Sequence, residues 1–241
     1  MIFTAVARPV KAADAPVTGR PQAASSYIVA GFVGGFVHHD DLRHGSVQLA
    51  QRIRHSAPKG TYVQVFENRR RKDAYRTILG LLDRAHDGAL SAEEKAQARI
   101  VLFGHSWGAA AVVLLARDLN RAGIPVLLTV QVDSVAKLWQ NDSVIPENVA
   151  AAANFYQPHG IVRGRSEITA ADPSRTEILG NFRFDYKKEP ASCKGLSWAD
   201  RLFTPGHAQS ECDPHLWSQV EALVRQRLEP QLSTATASPK P

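Results

Sequence analysis

Between residues 26 and 133 the chain alternates two kinds of apolar pattern, and that alternation leaves few folds open. SYIVAGF, TYVQVF, RIVLFG and PVLLTVQVD are short, nearly continuous apolar runs. Between them HGSVQLAQRIRHS, DAYRTILGLLDRAH and GAAAVVLLARDLNRAG space their apolar residues with a helical period. An unbroken apolar run suits a strand covered on both faces, and strand, helix, strand in succession builds parallel pairing. The expected architecture is α/β: a doubly wound, mostly parallel sheet in a single domain. NFYQ and ILGNFRFDY continue it as later strands, and DPHLWSQVEALVRQRL closes it as a helix with Asp213 at its N-cap and Pro214 in its first position. The helix that starts near Gly108 stops at Gly123, with Pro125 just beyond.

At 241 residues, 44% hydrophobic and 22% charged, the chain suits one sizeable core. Residues 1–25 and 230–241 are rich in Ala, Pro, Ser and Thr without apolar period, and read as mobile tails around a folded domain at 26–229. The opening MIFTAVARPV lacks a leading positive charge and is interrupted by Arg8 and Pro9, which does not make a signal peptide. No apolar run is long enough for a membrane-spanning helix, so a soluble protein is expected. The net charge of +6 is spread along the chain apart from Arg69-Arg70-Arg71-Lys72, and no nucleic-acid motif accompanies it, so no nucleic-acid partner is expected. Cys193 and Cys212 permit one disulfide, which would imply an oxidising compartment; as free thiols they would fit the cytoplasm, and the spacing favours neither.

One pentapeptide is not explained by packing. Gly104-His105-Ser106-Trp107-Gly108 joins the strand RIVLFG to the helix that follows, and the G-x-S-x-G pattern in that context is a nucleophile elbow. Its glycines leave room for a sharp, strained turn that lifts the Ser106 hydroxyl above the sheet edge, in front of a helix N-terminus that favours negative charge.

On these residues the chain resembles the α/β-hydrolase superfamily, and within it the serine esterases and lipases, over roughly residues 26–228. The resemblance implies a carboxylic ester hydrolase acting without a cofactor or metal, on a small-molecule or lipid ester. It also implies chain order Ser, acid, His. Asp133 ends the strand PVLLTVQVD, at the carboxyl edge where parallel sheets bind ligands, and this placement is similar to the pancreatic-lipase arrangement. Asp172 is next in line, and Asp142 and Asp185 also compete. Among the later histidines His207 is preferred. It sits in TPGHAQSECDPHLW before the last helix, where the family carries its base, whereas His159 lies in a turn and His215 in a helical first turn. The family's oxyanion donors would be the N–H of Trp107 and one N–H from Gly31-Phe32-Val33-Gly34-Gly35, with Phe32 preferred to Val33; here Ala30 replaces the family's usual histidine. Val33 and Trp139 are candidate pocket walls, and 134–153 is a candidate short cover in place of a large cap.

The altered loop keeps a non-catalytic binding protein of the same fold in view, and the same triad would serve a thioesterase or an amidase. Three further clusters have bland explanations. His38-His39-Asp40-Asp41 has metal-ligand types, yet adjacent ligands need a distant partner to enclose an ion, and Asp40 or Asp41 could cap the next helix. Asp83, Asp87, Gly88, Ser91 and Glu94 imitate a calcium loop, but Ala85 fills a ligating place and Ser91 with Glu94 makes a capping box. The basic run Arg69–Lys72 reads as a solvated loop on the Ser106 edge.

Overall fold

The computed structural model describes residues 27–193, 195 and 205–229, so the tails at 1–25 and 230–241 lie outside the described residues. Six strands form one parallel sheet: β1 (Tyr27–Val33), β2 (Tyr62–Glu67), β3 (Arg99–His105), β4 (Leu128–Val132), β6 (Ala151–Tyr156) and β8 (Glu177–Arg183), in the order β2-β1-β3-β4-β6-β8. Two short strands, β5 (Val144–Ile145) and β7 (Thr169–Ala170), pair separately. This is the α/β-hydrolase fold in a single domain.

The apolar runs are strands because they are buried on both faces. α1 (Gly45–Ser56) and α6 (Pro214–Leu228) cover one face, where Leu49, Ile53, Trp217 and Val220 meet Val29, Val101 and Val130. α2 (Arg71–Leu82) and α4 (Trp107–Arg121) cover the other, where Ile78, Val112, Leu115 and Leu119 meet Ile28, Ile100 and Leu102. The winding reverses between β1 and β3, since β2 lies on one side of β1 and β3 on the other. A crevice opens at the carboxyl ends of strands where the order reverses. Gly34 and Ser106, which follow these two strands, stand there.

Several local expectations need correction. Neither Asp40 nor Asp41 caps α1: the N-cap is His44, whose side chain makes no capping bond, and Asp41 instead accepts the Arg43 N–H at 3.1 Å. The basic run is not a loop. It ends a 3-10 turn (Asn68–Arg70) and starts α2, with Arg70 paired to Asp73 and Arg71 to Asp118. The segments 134–153 and 187–212, which read as long loops in the sequence, contain β5 and a helix, α5 (Pro205–Cys212), respectively. α5 lacked an apolar period because much of its buried face is polar: Ser210 and Glu211 are buried beside Ala208. Ser91 and Glu94 do form a capping box, at the start of α3 (Ala92–Ala96). Among the described residues no helix is long and apolar enough to cross a membrane.

The elbow glycines are required by contact. A Cβ on Gly108 would lie 2.4 Å from the Phe32 carbonyl oxygen and 2.7 Å from that of Val33, and one on Gly104 would lie 2.7 Å from the Gly108 backbone. Backbone cannot yield as a side-chain tip does, so Gly108→Ala should lower stability by about 1–3 kcal/mol. Gly80→Ala, where an added Cβ meets nothing within 4 Å in mid-helix, should instead raise it by about 0.5–1 kcal/mol. Urea unfolding of the two variants checks both signs.

Candidate active site

Ser106 connects β3 to α4 with φ 57° and ψ −126°, backbone angles that an L residue adopts only when its surroundings compel them. Two bonds do so: the Ser106 N–H donates to Val132 O at 2.9 Å, and Ser106 O accepts from the Val135 N–H. Asp133 directly follows β4, also at positive φ (42°), and donates its N–H to Phe155 O at 2.7 Å. His207 is the third residue of α5.

The structure brings these three together. His207 Nε2 lies 2.8 Å from Ser106 Oγ, and His207 Nδ1 lies 2.6 Å from Asp133 Oδ2. Because the carboxylate only accepts, Nδ1 carries the proton and Nε2 presents its lone pair to the serine. Asp133 is fully buried and held by more than the imidazole. Gln157 Nε2 donates to Oδ2 at 3.1 Å, the Gly164 N–H to Oδ1 at 2.6 Å and the Gln157 N–H to Oδ1 at 3.3 Å. Burial pushes the Asp133 carboxyl up, but the hydrogen bond and charge of His207, then the charge of His105, outweigh it and leave it below the usual carboxylate range.

The competing residues are engaged elsewhere. Asp142 is buried with Ser134 and Arg165, Asp172 closes a turn with Ser174, and Asp185 pairs with His159 at 2.9 Å. His215 lies beside Gln219 in α6.

A second acid–histidine pair lies beneath the first. Glu211, on α5, is buried against His105 Nδ1. His105 Nε2 is 3.1 Å from Ser210 Oγ, which donates to His207 O at 2.8 Å. With the Ser210 proton used in that way, both nitrogens of His105 are donors, the pattern of an imidazolium. Burial lowers the proton affinity of His105, yet the charge and hydrogen bond of Glu211 more than offset it and raise the pKa above the ordinary value. Burial pushes Glu211 up, and the charge and bond of His105 bring it well below the carboxylate range. The His105 ring lies 4.6 Å from that of His207, centroid to centroid. His44 Nδ1 stands 3.3 Å from the other Glu211 oxygen, out of line for a hydrogen bond. Burial first, and then the His105 charge, hold the His207 pKa below its ordinary value. The far end of α5 is tied down by the Cys193–Cys212 disulfide, with Cα atoms 5.5 Å apart.

The oxyanion and pocket candidates need correction. Phe32 is not free to donate, for it lies inside β1 in register with both Phe66 and Gly104. Val33, still in the strand and paired to Glu67, is a fully buried core residue and not a pocket wall. Beyond it, Gly34 approaches the serine so closely that an added Cβ would sit 2.8 Å from Ser106 Cβ; Gly35 follows at φ 45°. Among the described residues the N–H groups of Gly34 and Gly35 find no backbone acceptor. Trp107 opens α4, so its N–H has no partner within the helix. Trp139 is fully exposed, so it is not the wall of an enclosed pocket but an apolar side chain in solvent on the loop after β4. Exposed Phe36 packs edge-on against Trp107, and a cleft of about 590 Å³ beside Tyr186, Asp213 and His215 opens next to the junction of α5 and α6 rather than over Ser106.

The sequence gives Gln157 and Glu211 no role, gives His105 only its place in the pentapeptide, and includes Gly34 and Gly35 in the oxyanion loop without preferring either as donor. Gln157 had the one available signal, a polar residue at the carboxyl end of the strand run AAANFY. Glu211 had none, since its partner is 106 positions away, at residue 105.

No family model and no curated protein matches the chain. Among solved structures it is similar to a cutinase-like protein from Cryptococcus sp. (13% identity, covering 86% of this chain and 97% of that one, TM-score 0.46). It is also similar to a putative YdeN-like hydrolase from Pectobacterium atrosepticum (12%, covering 85% and 94%, TM-score 0.42) and to human thioesterase 2 (10%, covering 88% and 100%, TM-score 0.41).

The buried pair gives a stability test with a defined pH window. Glu211, its pKa lowered, contributes above the unfolded carboxylate range and loses that contribution as pH falls through its folded pKa. His105, its pKa raised, contributes fully below its ordinary value of 6.5 and loses it as pH rises through the folded pKa. Glu211→Gln should therefore cost about 3–5 kcal/mol in mildly acidic solution, with a smaller deficit at either side. Urea unfolding across pH measures it.

Proposed function

We propose that the protein is a serine hydrolase cleaving carboxylic esters through an acyl-enzyme on Ser106, without metal or cofactor. The observation that carries this reading is the unbroken hydrogen-bond chain Asp133–His207–Ser106. His207 Nε2 takes the proton from Ser106 Oγ as that oxygen attacks the ester carbonyl, and the buried Asp133 carboxylate stabilises the imidazolium. The carbonyl oxygen, now negative, receives the Trp107 N–H at the helix N-terminus and an N–H from Gly34 or Gly35. His207 then protonates the leaving alcohol. Water, activated by the same imidazole, releases the acid and restores Ser106.

His105 and Glu211 act through His207. A positive charge held against the base opposes its protonation in the resting state, which keeps Nε2 able to accept into mildly acidic solution. Exposed apolar side chains stand on three loops at the carboxyl edge: Phe36 after β1, Leu138 and Trp139 after β4, and Ile161 after β6. They suit an ester whose acyl or alcohol part is apolar.

A fluorophosphonate probe should label the protein covalently, and Ser106→Ala should abolish labelling and lower kcat by several orders of magnitude. Failure of the intact protein to label would sink the hydrolase reading in favour of a binding protein. p-Nitrophenyl esters of rising acyl length, with matched thioesters and amides, identify the bond cleaved; esters should turn over fastest.

His105→Gln separates positioning from packing. It removes the charge that opposes protonation of His207, so the acidic limb of kcat/KM should move to higher pH while the plateau at alkaline pH is largely kept. An unshifted limb would show that His105 serves packing alone.

A further inference from the structure

Adjacent histidines do not enclose an ion by themselves, and in the sequence His38 and His39 lacked a distant partner. The fold supplies one. Glu67, the last residue of β2, reaches the loop after β1, with its Oε1 2.9 Å from His39 Nδ1 and 3.8 Å from His38 Nε2. One donor atom from each of the three lies within 4.8 Å of the others. We propose that His38, His39 and Glu67 bind a divalent transition-metal ion of the zinc class, which fastens the β1–α1 loop to the end of β2.

The spacing suits such an ion. Ligand bonds of about 2.0–2.1 Å in tetrahedral geometry set neighbouring donor atoms about 3.3 Å apart, between the two separations seen here. The orientation suits it as well. His38 Nδ1 lies 2.5 Å from Asp40 Oδ1, so the Nδ1–H donates to that carboxylate and the Nε2 lone pair faces Glu67. A carboxylate behind a histidine ligand is the usual second layer of a zinc site. Two imidazole nitrogens with one carboxylate oxygen select zinc and its neighbours over magnesium or calcium, which require oxygen ligands.

Charge gives an independent reason. The Glu67 side chain is only 5% exposed, and among the described residues its ion pairs are with these two histidines, not with a lysine or arginine. A carboxylate withdrawn from water is stabilised by positive charge beside it, and a divalent ion supplies more of it than the two imidazoles do. The outward side is open, because the His38 and His39 side chains are 61% and 44% exposed, which leaves an entry path and a position for water.

The site bears on the neighbouring loop. Asn68, next to Glu67, donates its side-chain N–H to Gly35 O at 2.6 Å. The end of β2 therefore grips the β1–α1 loop at two points, and the ion would strengthen the second. The proposal concerns binding and stability, so it stands or falls separately from the hydrolase reading.

The test is titration of chelator-treated protein with zinc chloride against a chromogenic competitor, with thermal unfolding read in parallel. The intact protein should bind one equivalent at micromolar zinc or below and melt at a higher temperature with zinc than without. His38→Ala/His39→Ala, two exposed positions that leave the core intact, should lose this binding and its thermal shift. Asp40→Asn should weaken binding about 10–100-fold, the range for a second-layer partner. Glu67→Gln should also abolish it, and its melting curve without metal reports whether it folds. Absence of stoichiometric binding to the intact protein, or equal zinc affinity in the double histidine variant, would overturn the proposal.

Discussion

The close approach of α4 to the ends of β1 and β3 is the constraint from which the site follows. With Gly108 pressed against the Phe32 and Val33 carbonyls, the helix starts directly over the switch point of the sheet, and no residue remains for a relaxed turn. The backbone of Ser106 absorbs the whole change of direction at φ 57°. The strain is over-determined by the sheet, since the Ser106 N–H continues the ladder into β4 while its carbonyl accepts from Ala109, Ala110 and Val135. The hydroxyl then stands clear of the strand plane, with the unpaired N–H groups of a helix behind it. The same contact closes the space beside Gly34 and brings the loop after β1 against the serine.

The electrostatics of the site are organised by one short helix. α5 carries His207 toward Ser106 and Glu211 toward His105, so both acid–histidine pairs depend on its position. Each pair buries a carboxylate that would be costly alone, and each imidazole offsets that cost with a different proton inventory. His207, with one nitrogen facing a hydroxyl, is left neutral. His105, with a carboxylate and an acceptor hydroxyl at its two nitrogens, is left charged. The disulfide at Cys212 and the bond from Trp217 Nε1 to Glu211 O hold the C-terminal end of α5 in register with α6. A helix with so polar an inner face contributes little apolar burial, and these ties substitute for it.

This division explains what could be read from the residues alone. Strands β1, β3 and β4 and helices α4 and α6 were legible because their order is encoded by local apolar period and by punctuation such as Asp213-Pro214 and Gly123. Ser106 was legible for the same reason: strand, glycine and helix are adjacent in the chain. Asp133 and His207 needed, in addition, the chain order that the resemblance implies, and only the fold brings Asp133, 74 residues before His207, to its Nδ1. α5 is not legible in the sequence, because a helix that buries Ser210 and Glu211 leaves no apolar stripe. The oxyanion donor is misplaced at Phe32 in the sequence because the glycine pattern does not reveal how far β1 runs. Pairing with β2 extends the strand to Val33 and moves the first unpaired N–H groups to Gly34 and Gly35.

The shift of the first unpaired N–H from Phe32 to Gly34 links the site to the far side of its loop. In a parallel sheet an interior strand continues while a neighbour accepts its bonds, and β2 remains paired with β1 through Val33 and Glu67. The chain leaves the sheet only at Gly34, and the following turn is closed by the Val37 N–H donating to Gly34 O. His38 and His39 then fall opposite Glu67, which holds the outer limb of the loop while Asn68 holds Gly35. The position of Gly34 beside Ser106 is thus determined from two sides, by the elbow within the sheet and by the end of β2 at its border. A change at Glu67 would reach the serine through the loop backbone, without any contact between the two side chains.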